Sequence, residues 1–287
     1  MNTKFHEGEY HIQEIMGVRE ESDTLSSMIR NTIPQIAADF LKNLNFCIIV
    51  ISTKRDDLFT SVVYNTKNFI EIINQSEILI KLQNNSHIPK KFFNYPSLNI
   101  GMIGLDFENA LRIRINGKGQ IKEDRLLISI DEIYSNCPKY IKKRILRKEL
   151  NILGKQILQI EKELSLETIK KISNTDTFFI SSSHKEKGLD VSHKGGKKGF
   201  LKILSVNQLQ YEDKPGNNLY NSIGNIYTNP NINLFFIDFE ERDTYHILAS
   251  AKIEERELKG KKRLFVTINC KEITINRNSF GLNYILN

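Results

Sequence analysis

The sequence predicts a mainly β protein with flanking helices, laid out as two tandem units. Three observations carry that prediction. Short runs rich in Ile, Val, Phe and Tyr recur between turn residues, the pattern of a barrel or sandwich. The run NLFFIDFE has an upstream echo, in which Asp106-Phe107-Glu108 matches Asp238-Phe239-Glu240. Phe46 with Phe178, Ser61 with Ser192 and Phe69 with Phe200 stand at nearly the same offset. Repeats of about 20–50 residues mark solenoids, and a far longer spacing marks two tandem domains.

Residues 1–32 are polar and carry few strand signals. IPQIAADFLKNL (Ile33–Leu44) reads as a helix, with Pro34 in its first turn and Ile36, Phe40, Leu41 and Leu44 on one face. Strand signals follow at 46–52, 58–64, 69–73, 97–106, 110–119 and 125–134, with Asn116-Gly117 as a tight turn or bulge. Pro138 is expected to open a helix reaching about Leu166, with Ile141, Ile145, Leu150, Ile152 and Leu153 as its apolar face. The lysines and arginines at its start read as a solvated face. SLETIKKI (Ser165–Ile172) has a weak capping pattern for a second helix. Further strands are expected at 177–183, 188–194, 199–205, 208–213, 232–240, 244–253 and 263–275, with a short helix within 218–229. The expected organisation is residues 1–137 as a first β domain with an N-terminal extension, 138–170 as a helical connector, and 171–287 as a second β domain.

With 287 residues, the chain has room for two domains of ordinary size. At 40% hydrophobic and 26% charged it has the composition of a folded soluble protein. No apolar run is long enough to span a bilayer, and the first residues have acidic groups and no apolar core, so neither a membrane partner nor a secretory leader is expected. Three cysteines with no CxxC pair fit a reducing cytoplasm, the expected location, and argue against a zinc site or disulfides. The net charge of +7 suits anions, but the lysines are scattered and nucleic acid is not an expected partner.

HKGGKKGF (His193–Phe200) combines glycines, which let a ligand approach the backbone, with lysines that offer charge to a phosphate. On composition alone a flexible basic hairpin is the simpler reading, and the loop is not a Walker A motif. KPGNN (Lys214–Asn218) is a turn whose asparagines can cap a helix or donate to a ligand. The two turns each end a strand of the same expected sheet, where they could meet one anion. YSNCPKY (Tyr134–Tyr140) sets Cys137 before the expected helix, where a thiol pKa falls. No spacing selects a histidine base for it, and a structural turn is the simpler reading. No zincin, α/β-hydrolase or dinucleotide-binding motif occurs.

These segments resemble the predicted flavin-nucleotide-binding proteins related to pyridoxamine 5′-phosphate oxidase, which carry FMN-binding split barrels. The matching positions are Asp190, Ser192, His193, Lys194, Gly195, Gly196, Gly199 and Phe200; then Pro215, Gly216, Asn217, Asn218, Asn221, Gly224 and Asn225; then Asn229-Pro230 and Leu234–Glu240. Phe5–Glu9, Gln13, Gly17-Val18-Arg19 and Asn136–Ile141 match in the first unit, so the resemblance covers nearly the whole chain. Lys194, Lys198 and Ser135 depart from the usual arginine, proline and glycine, and Thr60–Phe69, the counterpart of the basic loop, lacks glycine. The resemblance implies two tandem split β-barrels packed as a pseudo-dimer with FMN as cofactor. It implies that Ser192, His193, Lys194, Gly195, Asn217 and Asn218 hold the phosphate and ribityl chain. Tyr211, Glu212 and Asp213 would line the ring, and Asn136, Cys137 and Lys139 would close the pocket from the first unit. The expected function is an FMN-dependent oxidoreductase on a small substrate, with NAD(P)H or a reductase as electron donor and with no catalytic acid or base and no metal assigned. A homodimer is a further expectation. Vitamin B6 oxidation itself is not the expected reaction, since no tryptophan and no substrate-phosphate site stand out. The alternatives are a flavin or haem binder without turnover, and an electron-transfer partner.

Overall fold

A computed structural model describes residues 4–53, 57–65, 68–82, 87–147 and 155–286. The N-terminal extension forms α1 (Glu7–Ile15) and α2 (Arg19–Leu25), and α3 (Gln35–Lys42) leads into the first sheet. That sheet comprises β1 (Phe46–Ser52), β2 (Phe59–Tyr64), β3 (Ile70–Asn74), β4 (Glu77–Lys81), β5 (Leu98–Asp106), β6 (Leu111–Lys122) and β7 (Arg125–Ser135). Its strand order is β2-β1-β5-β6-β7-β4-β3. After β8 (Arg144–Arg147) and β9 (Ile157–Glu161) comes α4 (Leu166–Ser173), which leads into the second sheet. Here β10 (Thr177–His184), β11 (Gly188–Gly195), β12 (Lys202–Ser205), β13 (Gln208–Asp213), α5 (Asn221–Thr228), β14 (Asn231–Ile237), β15 (Thr244–Leu258) and β16 (Lys261–Arg277) follow in turn. β17 (Asn283–Leu286) pairs with β8.

The second sheet runs β11-β10-β14-β15-β16-β13-β12, which is the order of the first, strand for strand. The entry into each sheet is also alike. Arg30 bridges to Ile133 on β7 just before α3, and β9 pairs with β16 just before α4. The DFE echo has a structural counterpart. Asp106 Oδ1 accepts from the N–H groups of Glu108 and Asn109, and Asp238 Oδ1 accepts from those of Glu240 and Glu241. Ser61 and Ser192 also correspond, since Ile49 faces Ser61 and Ile180 faces Ser192 in the two registers. The Phe46–Phe178 correspondence is corrected by one residue. Phe178 points into its own sheet's core as Cys47 does, whereas Phe46 points into the layer between the units. In a strand, a slip of one position exchanges the two faces.

Each sheet curls so that one face of its strands meets in a single apolar cluster, all seven strands in the first sheet and all but β11 on the seven-strand path of the second, with α3 or α4 contributing to it. The opposite faces meet each other. Phe46, Ile48, Val62, Ile103, Leu105 and Phe107 of the first unit pack on Phe179, Val191, Phe235 and Ile237 of the second. Phe107 and Phe239, equivalent by sequence, touch edge to face at 5.4 Å.

The helix expected from Pro138 to about Leu166 is not formed. Tyr140 has φ +69°, residues 144–147 and 157–161 are strands, and residues 148–154 lie outside the described residues. Tertiary contacts override the local pattern here. Arg144 is drawn inward to pair with Asp176 and stacks over Phe107 and Phe239 at 4.9 and 4.4 Å. The helices predicted over 33–44, 165–172 and 218–229 are present as α3, α4 and α5, and Asn116/Gly117 is a bulge.

α1 and α2 carried no clear signal in the sequence. His6 caps α1 by accepting from Gly8 N–H, while Glu9 reaches back to the His6 N–H in a capping box. α1 then crosses α5 at two glycines. A Cβ on Gly8 would overlap the carbonyl oxygen of Gly224, and one on Gly224 would meet Glu9. Gly8→Ala is therefore expected to lower unfolding stability by about 1–3 kcal/mol, as overpacking does. Urea denaturation checks this, and an unchanged midpoint would mean that α1 does not dock on α5 in solution.

Candidate functional site

A cleft opens where β11, β13 and α5 of the second sheet face β6 and the 136–140 turn of the first. It brings together Ser192, His193, Lys194, Gly195, Tyr211, Glu212, Asp213, Asn217 and Asn218 with Asn136. Of the residues singled out from sequence, Cys137 and Lys139 do not line it. Lys139 is exposed, and Cys137 takes part only through its carbonyl, which accepts from Arg112. With no helix after Pro138, the helix-dipole reason for an activated Cys137 thiol falls away.

β11 is an edge strand of the sheet, so its end is free to face the first unit. Gly195 is required there, because a Cβ would overlap the carbonyl oxygen of Tyr140. Tyr140 Oη donates to Pro215 O at 3.2 Å, and Lys214 Nζ lies 5.4 Å from the Tyr140 ring centre, so this side chain straps the 214–217 turn to the first unit. Asn217 Nδ2 donates to Asn136 Oδ1 at 2.7 Å across the same gap. Asn218, at φ +59°, donates to Glu21, and its carbonyl accepts from Ser22 Oγ at 2.8 Å. Gln13 Nε2 donates to Leu219 O at 3.0 Å. The N-terminal helices thus hold the turn in place.

Two residues that the sequence reading passed over organise the floor. Arg112 and Arg114 alternate with apolar residues on β6, and both face the second unit. Alternating charges on a strand that must be buried call for an anionic partner, and LRIRI carries that signal. Arg114 is 4% exposed and Asp190 8%. Arg114 Nη1 donates to Asp190 Oδ1 and to Tyr134 Oη, both at 2.9 Å, and Nη2 donates to Ser192 Oγ. Ser192 and Ser222 share a hydrogen bond of 2.7 Å. Asp190 is saturated by Asn116 Nδ2 at 3.0 Å and Asn225 Nδ2 at 2.7 Å.

Arg112 donates to His193 Nδ1 at 3.0 Å. A guanidinium has no acceptor, so Nδ1 accepts and the ring proton sits on Nε2. Burial, then the charges of Arg112, Arg144 and Lys194, push the His193 pKa well below 6.5, so the ring is neutral. Burial and Arg114 lower Arg112 to about 10. Lys194 pairs with Asp213 and lies 5.6 Å from the Tyr211 ring centre. Five buried donor groups at the cleft have no partner among the described residues: Arg112 Nε, Arg114 Nε, Asn136 Nδ2, His193 Nε2 and Tyr211 Oη. Unpaired buried donors are costly, and this set suits an anion with several oxygens.

Among the described residues, His6, Glu7 and His184 gather as possible metal ligands. Their geometry argues against a metal. The two rings stack in parallel at 4.0 Å, and each Nδ1 already accepts backbone N–H groups. Both protons are therefore on Nε2, which donate to Asn225 at 2.9 Å and Glu7 at 3.2 Å.

Two expectations test this network. Asp190→Ala strands a buried guanidinium and should cost about 3–5 kcal/mol, whereas the paired change Arg114→Met with Asp190→Leu should recover most of it. Equal losses in chemical denaturation of the two variants would show that the charge pairing is not what matters. Glu9 is buried beside Asp190, and burial followed by that carboxylate raises its pKa from 4.5 to about 8. A raised carboxyl pKa gives stability that is complete below about pH 4.5 and is lost as the pH climbs through about 8. Glu9→Gln should flatten the fall in stability across that window, and an unaltered slope would contradict a protonated Glu9.

No family model matches the chain, and no curated protein matches it. Solved structures do. A candidate pyridoxamine 5′-phosphate oxidase from Lactobacillus delbrueckii is 18% identical, covering 39% of this chain and 94% of its own, with a TM-score of 0.33. A protein of Clostridium acetobutylicum related to general stress protein 26, of the pyridoxinephosphate oxidase family, is 7% identical over 42% of this chain and 92% of its own, at 0.30. A FAD-binding protein of Mesorhizobium loti is 11% identical over 42% and 98%, at 0.27. Two of these three neighbours are described by the name of pyridoxamine 5′-phosphate oxidase or of the pyridoxinephosphate oxidase family.

Proposed function

We propose that this chain binds one FMN in the cleft between its two units and acts as a flavin-dependent oxidoreductase on a small substrate. The observation that carries the reading is the convergence of unpaired buried donors from both units on one cleft. Arg112, Arg114, His193 and Lys194 would hold the phosphate, with Asn136 and Asn217 beside them. Tyr211, Glu212 and Asp213 would flank the ring. When bound, the flavin supplies hydride chemistry, with NAD(P)H or a reductase as the electron source, and the protein supplies position, charge and exclusion of water. The cleft holds about 100 Å³ of free space, while ligand sites run to about 300–1,000 Å³. Entry of the whole nucleotide therefore requires the Tyr140–Pro215 strap to lift.

We read the two units as tandem split barrels forming a pseudo-dimer, on the strength of their shared strand order. Only one flavin is expected per chain. At the counterpart position Thr60 Oγ1 bonds to Ser181 Oγ at 2.8 Å, His246 Nε2 accepts from Thr60 N–H at 3.2 Å, and the Phe59 ring lies 5.4 Å from the His246 ring. These side chains satisfy one another and fill the space that a nucleotide would need.

The test is an FMN titration followed by flavin fluorescence, with the as-purified protein's visible spectrum and the mass of any released cofactor. One FMN per chain is expected. Arg112→Ala and Lys194→Ala should each weaken binding about tenfold to a hundredfold, the range for charge-assisted hydrogen bonds. Two flavins per chain, or affinities that ignore both substitutions, would overturn the assignment. A Soret band in place of a flavin spectrum would give the cleft to haem, and bound FMN that no donor reduces would leave a binder without turnover.

A further inference from the structure

A void larger than the cleft lies elsewhere among the described residues. A cavity of about 720 Å³ lies between α4, the β14–β15 turn and β17. That is within the range of sites for small organic ligands, about 300–1,000 Å³. Phe236, Phe239, Tyr245, Tyr284, Ile285 and Leu286 give it an apolar and aromatic wall, and polar and charged side chains make up the rest. None of these residues belongs to the flavin cleft.

Tyr245 is the informative residue. It is 2% exposed, and its hydroxyl has no hydrogen-bond partner among the described residues. Packing does not require a phenol here. The registers Ile103–Arg114 and Phe235–His246 put Tyr245 at the position of Ile113 in the first unit, where a plain apolar side chain fills the core. The second unit thus carries a buried donor that its twin does without. Burial raises the Tyr245 pKa further above 10, so the group stays a phenol and offers a proton to an acceptor.

The charges around the cavity are mostly spoken for. Arg144 pairs with Asp176, Lys171 with Asp238 and Glu241, and Glu167 with Arg277. Among the described residues, Lys170 and Lys198 at the rim have no ion-pair partner, against Glu240 alone on the acidic side. The balance left over is positive.

We propose that this cavity is a second binding site, for a small aromatic anion such as an aromatic carboxylate or sulfonate. Its ring lies against Phe239, Tyr284, Ile285 and Leu286. An oxygen of the ligand accepts from Tyr245 Oη, and the charge is balanced by the two free lysines. Nothing in this assignment depends on the flavin reading of the other cleft.

The probe is 1-anilinonaphthalene-8-sulfonate, an aromatic sulfonate whose fluorescence rises in an apolar site, titrated into the full chain. Saturation at one site per chain is expected. Tyr245→Phe should weaken it about fivefold, the worth of one ordinary hydrogen bond. Leu286, 55% exposed, can be changed without disturbing the core. Leu286→Glu removes apolar wall and adds a like charge, and should weaken binding about tenfold or more. Dye binding that ignores Leu286→Glu, or that is lost in Arg112→Ala, would place the dye outside this cavity and overturn the proposal. So would the absence of saturable binding.

Discussion

The buried pair of Arg114 and Asp190 is the constraint on which the rest of the site depends. It joins β6 of one sheet to β11 of the other, at a point where neither charge reaches solvent. A buried charge must be matched on every side, and the matching spreads outward from this pair. Asn116 and Asn225 complete the carboxylate, while Tyr134 and Ser192 take donors of the guanidinium and leave its Nε unpaired. Asn225 in turn accepts from His6, which caps the helix that packs on α5. One ion pair thus fixes the register of unit on unit, the seat of the N-terminal helix and the height of the cleft floor. Such pairs add little net stability compared with apolar packing, and their effect is that misaligned arrangements strand a charge.

The same strand order is accompanied by a cleft at Arg114 and, at the counterpart position, by side chains that contact one another. The difference lies in few side chains. Arg114 corresponds to His246, and Ser192 corresponds to Ser61. A neutral histidine, held near a pKa of about 4 by burial, can satisfy a backbone N–H but cannot recruit an anion. Aromatic and β-branched residues then close over it. The Phe107–Phe239 contact, with Arg144 stacked on both rings, keeps the two halves in register despite this divergence.

Much of this was legible in the residues. The period-two runs gave the strands, and the Pro-Gly-Asn-Asn turn with its following helix lies where the pattern placed it. The loop from Ser192 to Gly195 does line a cleft with Tyr211–Asp213 and Asn217-Asn218. What was not legible depends on contacts distant in sequence. Arg112 and Arg114 looked like ordinary strand residues until Asp190 and His193, from another sheet, met them. The stretch after Pro138 has helical spacing, yet Arg144 gains more from Asp176 and two aromatic rings than a helix offers. α1 is short and depends on an uncommon histidine cap and on a glycine contact with α5, neither of which periodicity reveals. Cys137 sits in the turn that its sequence favoured as structural, and its carbonyl meets Arg112.

The cleft takes its walls from both sheets, and both sheets belong to one polypeptide. A site shared between separate subunits disappears on dilution, because its halves must first find each other. Here the halves are tethered and face each other at an effective concentration set by the chain, not by the amount of protein present. Assembly of the cleft then does not depend on how much of the protein is present.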